Sequence, residues 1–251
     1  LMFLGCPIRM ILRLGGGDLN ALFGIAGFAG GIGFGTIFLK KGYSLQRTYA
    51  LSKLESAMMP AIQVGLLVLV VTAPAFIFFS QKGPGAMHAP WLISLAAGLV
   101  VGGLSQVSRL CTVGGFRDLF LFKKSILIFG YLAVLIGVFV VNISFGNFHL
   151  GFENQPIAHT DGLWNFLGMA LAGFCSVLLG GCPLRQLIMT GEGNSDSAVT
   201  VLGLAAGAAF AHNFGLAASG AGPTLNGEIA VVVGFVVALI IAILNTKRAN
   251  A

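Results

Sequence analysis

The sequence predicts an all-α, multi-pass membrane protein with about seven spanning helices and additional short, re-entrant or broken helices. Three observations lead there. Of the 251 residues 57% are apolar and only 9% are charged, against roughly 25% charged in a soluble domain. Apolar runs of about 17 to 24 residues, separated by short polar pieces, match the length a helix needs to cross a hydrocarbon core of about 30 Å. One phrase occurs twice, as Gly5-Cys6-Pro7-Ile8-Arg9 and as Gly181-Cys182-Pro183-Leu184-Arg185.

The second copy lies 176 residues after the first, and at that offset Gly15, Gly17, Gly27, Gly31 and Phe34 fall on Gly191, Gly193, Gly203, Gly207 and Phe210. The apolar pairs Ile8/Leu184 and Leu12/Ile188 line up as well. A repeat this long means one structural unit used twice. Residues 1–251 are therefore expected to form a single membrane domain, with 1–88 a partial first repeat unit and 89–251 the second. Because Gly5 has its partner deep inside the second unit, the first unit is expected to lack roughly 85 to 90 residues of its front end, by the arithmetic of a duplication.

The first span, about Leu19 to Leu39, carries Gly24, Gly27, Gly31 and Gly35 at three- or four-residue spacing. Small residues so spaced let helix backbones approach closely, and a packing face is the preferred reading. The loop that follows holds Lys40, Lys41, Arg47 and Lys53, which puts it in the cytoplasm by the positive-inside rule. The second span, about Ala57 to Phe79, has Pro60 and Pro74 near its ends and leads to a less basic loop with Lys82 and His88. The third, about Trp91 to Val107, opens into a basic stretch with Arg109, Arg117, Lys123 and Lys124, again inside. The fourth, about Ser125 to Gly146, is followed by His149, Glu153, His159 and Asp161 without Lys or Arg, which fits the outside. The fifth, about Gly162 to Leu179, carries Cys175 and breaks at Gly180-Gly181 before the second motif. Glu192, Asn194 and Asp196 then form a polar turn suited to capping the sixth span, about Ser197 to Leu216. The seventh, about Glu228 to Leu244, ends at Lys247-Arg248, so the C-terminus is expected in the cytoplasm.

This alternation runs the first span from outside to inside and its repeat partner, the sixth, from inside to outside. The repeats are thus expected to be inverted, a recurrent device of transporters in which broken segments meet near the bilayer midplane. The net charge of +6 sits in short loops without interleaved aromatics, so no nucleic-acid partner is expected. The four cysteines include no C-x-x-C pair, which argues against a disulfide framework and a zinc site. No metal and no cofactor are expected.

In each motif glycine permits a sharp reversal, and proline directly after cysteine suits the first position of a helix. The cysteine then sits at or beside the N-cap of a helix too short to span. Its N-terminal dipole end and free N–H groups attract anions. Arg9 and Arg185, three residues beyond each cysteine, add full positive charge, and an intramembrane arginine needs a partner or a watery path. A thiol there is a soft, weakly donating contact. Cys111, flanked by Arg109 and Arg117 and followed by Gly114-Gly115, resembles a second kind of broken segment. Cys175, mid-helix and without a neighbouring arginine, reads as apolar filler. His212 reads first as a core histidine, and with Asn213 it is the alternative candidate gate.

The motif Gly-Cys-Pro-x-Arg in two copies, with Arg109-x-Cys111-x-x-Gly114-x-x-Arg117 between, resembles the YeeE/YedE family of bacterial sulfur-compound transporters. The passages Gly180 to Leu187, Gly191 to Asn194 and Ala211 to Gly215 are similar to its selenium-metabolism YedE branch. The resemblance implies an hourglass-like helical fold with pathway cysteines Cys6, Cys111 and Cys182, and import of thiosulfate or a related sulfur or selenium oxyanion across the bacterial inner membrane. The expected partners are the small inorganic anion and the lipid bilayer, with a cytoplasmic sulfur- or selenium-handling protein as a candidate. No enzymatic turnover is expected. Two alternatives stand beside this reading. A membrane thiol-redox protein would want two cysteines within bonding distance, and a passive pore for a neutral small molecule would have no use for an arginine beside each cysteine.

Overall fold

A computed structural model describes residues 2–45, 53–73, 76 and 89–246. Arg47, Pro74, Lys82, His88, Lys247 and Arg248, on which parts of the charge count and the second span rest, lie outside the described residues. The described chain is helical, with α1 at Pro7–Gly15, α2 at Asn20–Lys40, α3 at Lys53–Thr72, α4 at Trp91–Ser108 and α5 at Thr112–Phe122. Beyond these come α6 at Ile126–Ser144, α7 at Gly162–Leu178, α8 at Pro183–Gly191, α9 at Ser195–Asn213 and α10 at Leu225–Leu244. It is an all-α membrane protein: the long elements α2, α3, α4, α6, α7, α9 and α10 occupy the seven expected apolar runs. Helices α1, α5 and α8 have only 9, 11 and 9 residues, about half of what a hydrocarbon core demands. At the 176-residue offset the bounds of α1 and α8 coincide.

Among the described residues five stretches are long and apolar enough to cross a membrane: Asn20–Lys40, Trp91–Phe122, Ile126–Ser144, Gly162–Gly191 and Leu225–Leu244. Two of the seven expected runs are not among these five. In the second run the described apolar helix is Ala57–Thr72, and most of the remainder of that run, up to Phe79, lies outside the described residues. Helix α9 opens on Ser195-Asp196 and closes on His212-Asn213, so polar ends shorten its apolar run. The stretch expected as a basic loop after α4 is largely helical, because α5 starts at Thr112.

The chain divides into two compact units. The first comprises Leu1–Arg47, Leu110–Arg185 and Leu202–Ala251. Its centre is the crossing of α2 on α7. A Cβ at Gly27 or Gly31 would run into the backbone oxygens of Phe166 and Ala170, and one at Gly35 would come within 2.9 Å of Val177. Gly173 of α7 lies equally tight against the Phe28 carbonyl. The expected packing face is therefore real, and α7 is what it packs on. Phe28, Ile32, Met169 and Val177 from this crossing join Met10, Val113 and Tyr131 in one buried cluster. Phe174, Leu178, Ala238 and Ala242 form a second cluster between α7 and α10, with Cys175 packed against it as filler.

The turn between α1 and α2 is held by charge. Arg13 in the last turn of α1 donates through Nε to Asp18 Oδ2 at 2.6 Å and through a terminal nitrogen to the Phe3 carbonyl. Asp18 Oδ1 accepts from the backbone N–H and the side-chain amide of Asn20, both at 2.9 Å, and so satisfies the first N–H of α2. The loop after α6 is stitched to the same turn: Leu19 N donates to the Gly151 carbonyl at 3.0 Å, and Asn20 Nδ2 to the Phe152 carbonyl at 2.7 Å.

The second unit comprises Thr48–Arg109 and Gln186–Val201. It contains α3 and α4, the latter ending at Arg109 in a left-handed conformation with φ +52°. In its other segment Asn194 Oδ1 accepts from Ser197 N at 2.9 Å, which makes Asn194 the capping member of the expected polar turn.

Candidate functional site

Cys6, Cys111 and Cys182 each stand immediately before one of the short helices. The backbone at Cys6 (φ −85°, ψ 171°) and Cys111 (φ −147°, ψ 114°) is extended, as an N-cap requires. The Cys6 sulfur accepts from Arg9 N at 3.5 Å and the Cys111 sulfur from Gly114 N at 3.3 Å. The backbone N–H of Arg185 is turned in the same way onto the Cys182 sulfur. In all three places a thiol does what a serine oxygen does at an N-cap, accepting from the third residue of the helix. Each sulfur is thereby fixed at the positive end of a helix dipole. The sequence dictates this locally. Pro7 and Pro183 start α1 and α8, and Gly180, in a left-handed conformation at φ +82°, turns the chain after α7 so that Cys182 points into the cluster.

The three thiols differ in exposure: Cys6 is exposed, Cys111 half-buried and Cys182 buried. All are free, and the sulfurs of Cys111 and Cys182 are 4.0 Å apart. That is van der Waals contact, or one weak S–H···S bond, and well beyond the roughly 2.05 Å of a disulfide. The pair lies among Met10, Val113, Phe116 and Tyr131. Cys6 bears on the same place through Tyr131, whose hydroxyl lies within electrostatic reach of both Cys182 and Cys6.

The arginines of the motifs have separate surroundings. The stem of Arg9 folds back over Gly5, where an added Cβ would meet it at 3.0 Å. Arg185 sits one turn into α8. Arg117 pairs with Asp118 at 2.9 Å, so its charge is offset within α5. Arg109 ends α4 in the second unit. His212 and Asn213 occupy the exposed last turn of α9. Asn213 Nδ2 bonds back to the Ala209 carbonyl at 2.8 Å, and among the described residues no hydrogen bond joins either side chain to the cysteines.

Three polar groups at or near the site escaped the sequence reading. Tyr131 is the lone tyrosine in the apolar run of α6, and its hydroxyl is buried without a hydrogen-bond partner among the described residues. The Thr112 hydroxyl, 2% exposed, lies against the Cys182 sulfur and meets no oxygen or nitrogen partner among the described residues. Arg13 is 8% exposed with its ring partner Phe3 at 4.2 Å. The available signals were Thr112 directly after a motif cysteine and a single phenol in an otherwise apolar helix. The described residues hold no group of three or more His, Cys, Asp or Glu side chains suited to a metal ion.

The profile of a family described as "Sulphur transport" matches residues 107–249, more than half of the chain. No curated protein and no solved structure matches.

Proposed function

This chain belongs to the YeeE/YedE sulfur transport family, and on that premise we propose that it carries a small sulfur- or selenium-containing oxyanion, with thiosulfate the foremost case, across the bacterial inner membrane. The coarser statement, a multi-pass membrane transporter of sulfur compounds, follows from the family match and the apolar helices. The observation that carries the finer reading is the Cys111–Cys182 contact of 4.0 Å, with each sulfur held at the start of a short helix. Two thiols so placed offer a soft, weakly donating passage to an anion, and the helix ends lower its electrostatic cost.

In this reading the anion passes along Cys6, Cys111 and Cys182, with Arg9 and Arg185 near the same helix ends and Arg109 and Arg117 flanking Cys111. His212 with Asn213 is the candidate gate. The two units of the repeat are inverted and the C-terminus is cytoplasmic, where a sulfur- or selenium-handling protein receives the substrate. The coincidence of α1 and α8 at the 176-residue offset supports the repeat. No covalent turnover is involved.

Uptake of labelled thiosulfate by cells expressing the full-length protein tests the reading. Loss of most uptake in Cys182→Ala is the expected result, and unchanged uptake defeats the cysteine passage. One rival gains from the structure, since a thiol-redox protein needs two cysteines close together and Cys111 and Cys182 are such a pair. Thiol titration during uptake separates the two: a transporter keeps both thiols free, and a redox protein cycles them through a disulfide.

A further inference from the structure

Two hydroxyls, of Tyr131 and Thr112, lie buried near Cys111 and Cys182. Tyr131 packs its ring edge-on against Phe116 at 5.8 Å between centroids and is 9% exposed, yet its oxygen meets no donor or acceptor among the described residues. A phenylalanine would fill the same space without burying an unpaired hydroxyl, which is otherwise a net cost to the fold. The Thr112 hydroxyl is buried against the Cys182 sulfur and meets no oxygen or nitrogen partner among the described residues, and a valine would serve the packing equally. Buried polar groups are nearly always bonded, so each exception asks for a partner. Here an unpaired phenol and a hydroxyl left with only a sulfur converge on one pair of thiols in contact, at the N-termini of α5 and α8.

The chemistry of this set is divided. The thiols are soft and polarisable, suited to a divalent sulfur or selenium atom. The hydroxyls are hard donors, suited to oxygen. Resting on the transport reading above, we propose that Tyr131 and Thr112 are the oxygen-recognising members of the Cys111–Cys182 site, and that they select anions carrying both a terminal soft atom and oxygens, of the thiosulfate type. The terminal sulfur lies against the two cysteines while the two hydroxyls donate to the oxygens. An anion with only one kind of end satisfies half of the site: hydrosulfide leaves the hydroxyls unpaired, and sulfate presents oxygen to the thiols.

The test uses the full-length protein in phospholipid vesicles, labelled thiosulfate, and unlabelled hydrosulfide and sulfate as competitors. Tyr131→Phe is expected to raise the KM for thiosulfate about tenfold or more, as loss of one hydrogen bond to a charged ligand does. Competition by sulfate should weaken with it, competition by hydrosulfide should not change, and the melting temperature should stay or rise because no internal bond is lost. Thr112→Val is a second, independent arm with the same expected pattern. A KM within twofold of the unsubstituted protein in both variants overturns the inference and leaves the transport reading standing. Equal weakening toward hydrosulfide and thiosulfate, or a lowered melting temperature, makes the hydroxyls packing groups and also overturns it. Absence of thiosulfate uptake by the unsubstituted protein sinks the transport reading and this inference together.

Discussion

Arg13 is enclosed by three partners, the Asp18 carboxylate, the Phe3 carbonyl and the Phe3 ring, while its second terminal nitrogen meets none among the described residues. A buried cation that loses its counter-charge is strongly destabilising, by about 3–5 kcal/mol. Asp18→Asn is therefore expected to lower stability in detergent by about that amount. Asp118→Asn, at the Arg117 pair whose side chains are 33% and 25% exposed, should change it by less than about 1 kcal/mol. Unfolding of the two variants measured side by side checks the contrast, and equal effects would refute the buried role of Asp18. The consequence reaches the site, because Phe3 and the α1 helix carry Cys6 between them. Sequence alone left this pair unread: Arg13 and Asp18 are separated by Gly15-Gly16-Gly17 and look like charges at a loop.

At the scale of elements, the same small-residue spacing has two outcomes in this chain. In α2, Gly27 and Gly31 face carbonyl oxygens of α7, and a backbone oxygen cannot give way as a side chain can. In α9, a Cβ at the repeat-related Gly203 or Gly207 would have no described atom within 4 Å. Gly31→Ala is accordingly expected to cost about 1–3 kcal/mol or more through overpacking. Gly207→Ala should be neutral, or should stabilise by up to about 1 kcal/mol from helix propensity. Thermal unfolding of both variants in one detergent checks this, and a Gly31→Ala protein as stable as the parent would contradict the close crossing. The spacing was legible as a packing face, but its partner was not. Helix α7 answers α2 with backbone at Phe166 and Ala170, and no side-chain pattern announces a backbone contact.

For the whole molecule, the long helices and the breaks before α1 and α8 were legible, because apolar length and Gly-Pro punctuation are local properties of the chain. The α5 helix is legible only as a broken segment, since Arg117 within it and Arg109, Lys123 and Lys124 around it mask a helical run. The contact of Cys111 with Cys182 joins positions 71 apart and depends on how α5 and α8 are placed, which no spacing encodes. The orientation of the repeats rests on charge distribution and leads to a direct measurement. Ser44 and Gly220 are equivalent at the 176-residue offset, and both are exposed. If the repeats are inverted, these positions lie on opposite faces of the membrane: Ser44 beside Lys40 and Lys41 in the cytoplasm, Gly220 in the loop without basic residues outside. With the four native cysteines replaced by serine, a membrane-impermeant maleimide should label Gly220→Cys in intact cells and Ser44→Cys only after lysis. Labelling of both from the same side would mean parallel repeats, and the two cysteine-bearing short helices would then enter from one face instead of converging from two.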